Sequence, residues 1–303
     1  MKRKVIQLAG KTSVVSLPLL WVNKNKIKKG DELDVIDKED KLIIYNNKFK
    51  PDILKISLDI DKEHSFDKRY INDLYKRGFD EIKIKFKDSK VLNEIKKFDL
   101  LGYEIIDQGK DFCLIKSISS ENEDEFHSML RRSFRLGKEM ANGISEYLEG
   151  QKIDLKEIRT LENMNNKFTD FCLRIINKRS FKDEHKANYY YVITRECETI
   201  VDYFKYIIDD LMDSKNKKIS QDSIKYFNET KEYFFLFYEL FYDYNKKKFK
   251  EFYNSRKELI EKGRMLIQEK GIDGLIAHHS LNIVVATYNL SGPFMTMNFE
   301  EVF

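Results

Sequence analysis

Glu198 and Asp202 stand four residues apart in a stretch with helical spacing, so their side chains lie side by side on one face. Two like charges that close repel unless a cation or a basic side chain sits between them, and two hard oxygen donors invite a hard metal ion. A solvated stripe is the alternative. Thr194, Glu198, Asp202, Lys205 and Asp209 form a polar face beside the apolar Ile193, Cys197, Ile200, Phe204 and Ile208, as on any amphipathic surface helix. His278 and His279 are adjacent, so on a helix they diverge and cannot ligate as a pair spaced by four does; one of them is expected to face the core. Cys113, Cys172 and Cys197 are an odd count without paired spacing, which predicts reduced core thiols rather than disulfides or structural zinc.

The basic residues are the second chemical signal. Residues 1 to 30 hold eight Lys or Arg and no acid, and residues 1 to 50 hold twelve bases against six acids. The chain as a whole carries +4, so the 253 residues after position 50 sum to −2. Positive charge gathered on one small module is what a phosphate-backbone partner requires, because each contact releases a condensed counterion. Lys2, Arg3, Lys4, Lys11, Lys24 and Lys26 are the candidate contacts to double-stranded DNA. An ordinary lysine-rich surface is the competing reading, since lysine is abundant throughout. Trp21, beside Pro18, could touch DNA or anchor a small core.

Several function classes are absent from the sequence. It has no Gly-rich phosphate loop, no Gly-x-Ser-x-Gly and no His-Glu-x-x-His, and its five histidines are scattered, so no enzyme is expected. The apolar runs fall well short of the ~20 residues that span a bilayer, and no apolar segment of signal-peptide type follows Met1. A cytoplasmic protein without membrane insertion is the expectation.

The elements that must position these residues divide into three parts. Hydrophobic residues make up 42% and charged residues 35% of 303, enough apolar matter for real cores and enough length for more than one domain. Only Pro18, Pro51 and Pro293 interrupt the chain, so long helices are permitted between the last two. Residues 1–50 alternate short β-prone runs with the Gly10-Lys11 and Gly30-Asp31 turns and one short helix near Leu19 to Asn25. Residues 51–119 read as a βαβαββ subdomain with a mixed or antiparallel sheet covered by helices on one face. Residues 120–292 carry six helices: one around Phe126 to Leu148 ending at Gly150, then about Lys152 to Lys178, Asp183 to Met212, Ser220 to Tyr244, Lys247 to Lys270 and Ile272 to Leu290. Joined by short polar turns, they read as two antiparallel three-helix bundles, with Gly271 and Gly292 as terminators and 293–303 as a tail. The aromatic run Tyr233 to Tyr238 is expected to serve core and interface. The fold class is therefore multi-domain α+β.

Two resemblances follow from these motifs. Gly10-Lys11, Ser16-Leu17-Pro18 and Ile27-Lys28-Lys29-Gly30-Asp31-Glu32-Leu33 resemble the AbrB or MazE type of swapped-hairpin DNA-binding domain. In such a module Pro18 fixes the start of the helix, Gly30 permits a tight turn, and Leu33 and Val35 face the core. The resemblance implies a homodimer whose chains interleave hairpins, because fifty residues alone bury too little.

The six helices are similar to PhoU, the phosphate-uptake regulator, and the whole chain resembles archaeal fusions of the two domain types. PhoU bundles carry Glu-x-x-x-Asp motifs, and Cys197-Glu198-Thr199-Ile200-Val201-Asp202 matches at Glu198 and Asp202. In the preceding helix Leu161-Glu162 is followed by Asn166 where an Asp is expected, and His278-His279-Ser280-Leu281-Asn282 lacks the acidic motif of the second bundle. The resemblance implies a metal site at Glu162, Asn166, Glu198 and Asp202 for a divalent or ferric ion. It also implies a DNA-binding transcriptional regulator of phosphate uptake or homeostasis. The alternative is an adaptor on a phosphate transporter or sensor protein, with the β module serving only to dimerise it. An antitoxin is less well matched, because folded helices stand where its toxin-binding tail would be.

Overall fold

The computed structural model describes residues 2–8, 10–38, 41–45, 53–60, 66–67, 69–119, 122–178, 181, 184–214 and 218–299. It is a mixed α+β chain with small sheets and a helical C-terminal region. It divides into two compact units, Met1–Ile53 and Leu54–Phe303. Ala9, Glu39, Asp40 and Pro51 lie outside the described residues.

The first unit holds two antiparallel hairpins and a short helix. Strand β1 (Val5–Leu8) pairs with β2 (Thr12–Val15), helix α1 spans Leu19–Lys24, and β3 (Asp34–Lys38) pairs with β4 (Lys41–Tyr45). Pro18 caps α1 with φ −61, the value its ring imposes and a helix start needs. Gly30 sits at φ +92, a conformation costly to any residue with a Cβ. The Asp31 carboxylate closes that turn by accepting from the Lys28 N–H at 2.9 Å.

The second unit opens with a four-stranded sheet ordered β5-β6-β8-β7, from β5 (Lys55–Ile60), β6 (Glu81–Phe86), β7 (Tyr103–Gln108) and β8 (Phe112–Ser117). Helix α2 (Arg69–Lys76) lies between β5 and β6 in the chain, and α3 (Lys90–Ile95) follows β6. The crossover through α2 makes β5 and β6 parallel, and the other pairings are antiparallel. Along β6 the side chains alternate, with Ile82, Ile84 and Phe86 buried and Lys83 and Lys85 exposed, the signature of a sheet covered on one face.

Six long helices follow: α4 (Glu123–Leu148), α5 (Leu155–Asn177), α6 (Glu184–Asp213), α7 (Gln221–Tyr242), α8 (Lys246–Leu266) and α9 (Ile272–Asn289). Asn122, Asp154, Ser220 and Asn245 cap α4, α5, α7 and α8 with side-chain oxygens, satisfying N–H groups that a helix start leaves free. Helices α4, α5 and α6 all touch one another, as do α7, α8 and α9, and α6 packs on α9 and α4 on α7. Phe134 of α4 joins the two sets through Phe234 and Phe237 of α7. In the aromatic run Tyr233, Phe234 and Phe237 are buried, and Phe235, Leu236 and Tyr238 are half-buried. Gly292 does not end the helical region, because α10 (Ser291–Met297) follows α9 almost directly. Pro293 falls in its first turn, where a missing N–H costs nothing.

One buried cation ties the sheet to the helices. Arg174 of α5 has no exposed surface, and its guanidinium donates to the Phe79 carbonyl at 2.6 Å, the Tyr75 carbonyl at 3.1 Å and Asp80 Oδ1 at 2.6 Å. Lys178 Nζ reaches the same Asp80 oxygen at 2.6 Å. The guanidinium carbon lies 5.1 and 5.3 Å from the ring centroids of Tyr75 and Tyr103, so every face of the group meets a partner, as a buried charge demands.

Candidate functional site

The basic residues of the first unit are where a phosphate backbone could reach them. Lys2, Arg3, Lys4, Lys11, Lys24 and Lys26 are all exposed, as are Lys28 and Lys29. Lys11 stands in the β1–β2 turn, and Lys24 and Lys26 cluster at the C-terminal end of α1. Lys26 takes φ +53, unusual for a residue with a side chain.

The apolar residues of that unit are uncovered too. Among its described residues with a burial assignment none is buried. Val5 is 66% exposed, Ile6 54%, Leu8 56%, Val15 56% and Leu42 66%. Leu33 and Trp21 are half-buried, and Val35, expected to face a core, is exposed. Two-stranded hairpins with bare apolar faces and open edges are marginal alone, so a single copy of this unit lacks the core its sequence is patterned for.

The acidic residues meet at the seam between α5 and α6, with cations already between them. Lys205 Nζ lies 2.5 Å from Asp202 Oδ1 and 3.3 Å from Glu162 Oε1, and Asn166 Nδ2 donates to that same Glu162 oxygen at 2.8 Å. Glu162, Asn166 and Asp202 thus come together around an ammonium. Glu198 is engaged by Arg195, three residues earlier, at 2.5 Å. No group of three or more His, Cys, Asp or Glu with metal-holding geometry occurs among the described residues. The donors are hard oxygens, and the buried Asn166 Oδ1 has no hydrogen-bond partner, but a metal bound there has to displace Lys205 from both carboxylates.

Electrostatics along the seam follow burial. Asp170, one turn beyond Asn166, is pushed up to about 6 by burial against the pull of Lys76, whose Nζ is 3.9 Å away. Burial also raises Glu198, opposed by Arg195. Lys205 is raised by its two carboxylates despite its burial. Arg159 and Asp209 extend the ladder with a contact at 2.5 Å. Lys205 is expected from the sequence on the polar face, without a partner, and Arg195 and Asp170 carry no expectation there. The signal was there in the three-residue spacings from Asp202 to Lys205 and from Arg195 to Glu198, which put opposite charges on adjacent turns.

The histidines and cysteines hold other places. His279 is half-buried with Nε2 3.1 Å from Asp210 Oδ2, whereas His278 is exposed. All three cysteines are buried and free, and burial pushes the Cys113 thiol up to about 11, which keeps it protonated and inert. No described helix is long and apolar enough to cross a membrane. Comparison of the chain with family models, with curated proteins and with solved structures finds no match in any of the three.

Proposed function

We propose that this chain is a DNA-binding transcriptional regulator, with an AbrB-like module at residues 1–50 and a PhoU-like pair of three-helix bundles at residues 120–292. The observation that carries the reading is the segregation of charge: eight bases and no acid in residues 1 to 30, with Lys2, Arg3, Lys4, Lys11, Lys24 and Lys26 all exposed. The uncovered apolar faces of β1, β2 and β4 support a homodimer, because a second copy of the same patterned hairpins supplies the missing core. The regulated process, phosphate uptake or homeostasis, rests on the resemblance of the helices alone. The protein works without enzymatic chemistry and in the cytoplasm. Any divalent or ferric ion at Glu162, Asn166, Glu198 and Asp202 enters in competition with Lys205.

The test is a mobility shift of duplex DNA by the full chain, comparing wild type with the Arg3→Ala, Lys11→Ala double variant. Weaker binding by the variant supports the reading, and identical shifts remove these residues from the interface. The adaptor reading, with a phosphate transporter or sensor protein as partner, is favoured by one feature, a groove of about 850 Å³ along α7 and α8 whose walls set Ile224, Leu236 and Leu259 among charged residues such as Glu229, Glu232, Glu258 and Lys262. It predicts a dimer that fails to shift any DNA.

A further inference from the structure

A cleft opens in the second unit where α2 meets α5 and α6. About 520 Å³ in volume, it is walled by Asp73, Lys76 and Arg77 at the end of α2, by Leu173 and Asn177 of α5, and by Tyr191 and Arg195 of α6. Three cations and one carboxylate therefore face a single cavity. Lys76 is steadied by Asp73 at 3.2 Å and by the buried Asp170 at 3.9 Å, and Arg195 by Glu198 at 2.5 Å. Arg77 has no ion-pair partner among the described residues. Two guanidinium forks beside one ammonium suit a tetrahedral dianion better than a carboxylate, since each fork can engage a separate pair of oxygens.

The cleft does not stop at the cations. Asn177 and Tyr191 also wall a second cavity of about 650 Å³, whose other walls include Phe181, His185 and Asn188. Tyr191 is 42% exposed, so its ring is available for stacking. The Asn177 amide nitrogen is committed to the Lys76 carbonyl at 2.7 Å, which leaves its oxygen as an acceptor. One end thus offers the Arg77 guanidinium beside Lys76 and Arg195, which their carboxylates hold in place, and the other offers aromatic rings and amides. Each cavity falls within the size range of small-molecule sites, roughly 300–1,000 Å³.

We propose that this cleft binds a phosphate monoester carrying an aromatic heterocycle, a nucleoside monophosphate, with the phosphate on Lys76, Arg77 and Arg195 and the ring beside Tyr191. The site lies outside the basic N-terminal unit and does not depend on what that unit binds. A ligand seated there bridges α2 of the sheet to α5 and α6.

The test is calorimetry on the full chain with adenosine 5′-monophosphate, inorganic phosphate and adenosine as separate probes. The monophosphate is expected to bind more tightly than inorganic phosphate, and adenosine to give no heat. Arg77→Gln, at an exposed turn where folding is not at stake, should weaken the monophosphate at least about tenfold, the loss expected for a charge-assisted contact. Tyr191→Ala should weaken the monophosphate and leave inorganic phosphate unchanged. The proposal is overturned if the monophosphate gives no heat at millimolar concentration, if Arg77→Gln binds it as wild type does, or if adenosine binds equally well. It is overturned as well if inorganic phosphate matches the monophosphate and Tyr191→Ala changes neither.

Discussion

Replacing Arg174 by Met keeps most of the side-chain volume and removes the charge at the joint between the sheet and the helices. The cost follows from what is left behind. Asp80, with only 13% of its side chain exposed, loses the Arg174 contact at 2.6 Å but retains Lys178 at 2.6 Å. The Phe79 carbonyl still accepts from the Tyr103 hydroxyl, and the Tyr75 carbonyl still accepts from Gly78 N–H at 2.9 Å. Breaking a buried pair commonly costs about 3–5 kcal/mol. Because each stranded acceptor keeps one donor, the lower end applies, about 3 kcal/mol. Urea unfolding followed by far-ultraviolet circular dichroism should show a lower midpoint with an unchanged slope. Adding Asp80→Asn to Arg174→Met should not restore the midpoint, because Lys178 still engages the Asp80 carboxylate at 2.6 Å in the single variant and the second change removes that ion pair as well. A loss below about 1 kcal/mol would refute the reasoning, because it would make this a surface-type ion pair.

Three further outcomes are expected. Asp170 has a folded-state pKa of about 6 against an ordinary 3.8, so the stability it contributes is present below the lower value and lost as pH rises through the upper. Asp170→Asn should therefore raise the unfolding free energy above about pH 6, by up to about 3 kcal/mol, and give little gain near pH 4; equal effects at both ends contradict this. Lys205→Met should tighten Mn²⁺ binding at least about tenfold by calorimetry, because it removes a tethered competitor from two carboxylates; unchanged affinity rules out that competition. Ile6 and Leu8 lie on one face of β1, 54% and 56% exposed, and period-2 alternation sets them side by side. Ile6→Asp with Leu8→Asp should convert the full chain from dimer to monomer in sedimentation, and a persisting dimer would move the interface elsewhere.

The readable parts of the fold are those governed by local periodicity. Apolar residues three or four apart placed α4 to α9 within a few residues, as in the stripe of Phe126, Met129, Leu130, Phe134, Met140, Ile144 and Leu148, all buried except the half-buried Met129. The strand and helix order of the sheet was equally legible. Side-chain partnerships across long separations were not. Arg174 and Asp80 are 94 residues apart, and on a helix Arg174 reads as one more polar residue until the sheet arrives beside it. Glu162 and Lys205 are 43 apart, so nothing local showed that the cation beside Asp202 on α6 also reaches Glu162 on α5. Gly292 and Pro293 read as a stop signal, yet a first-turn proline starts α10 as readily as it ends a helix.

The most direct measurement of the central claim is the salt dependence of DNA binding by the full chain, read by fluorescence anisotropy of a labelled duplex. If each copy in a dimer places about three bases at phosphates, the slope of log K against log salt should be near −5, and Arg3→Ala with Lys11→Ala should flatten it by several units. No binding at low salt, or a slope near zero that the double variant leaves unchanged, would contradict a phosphate-backbone role for the basic N-terminal unit.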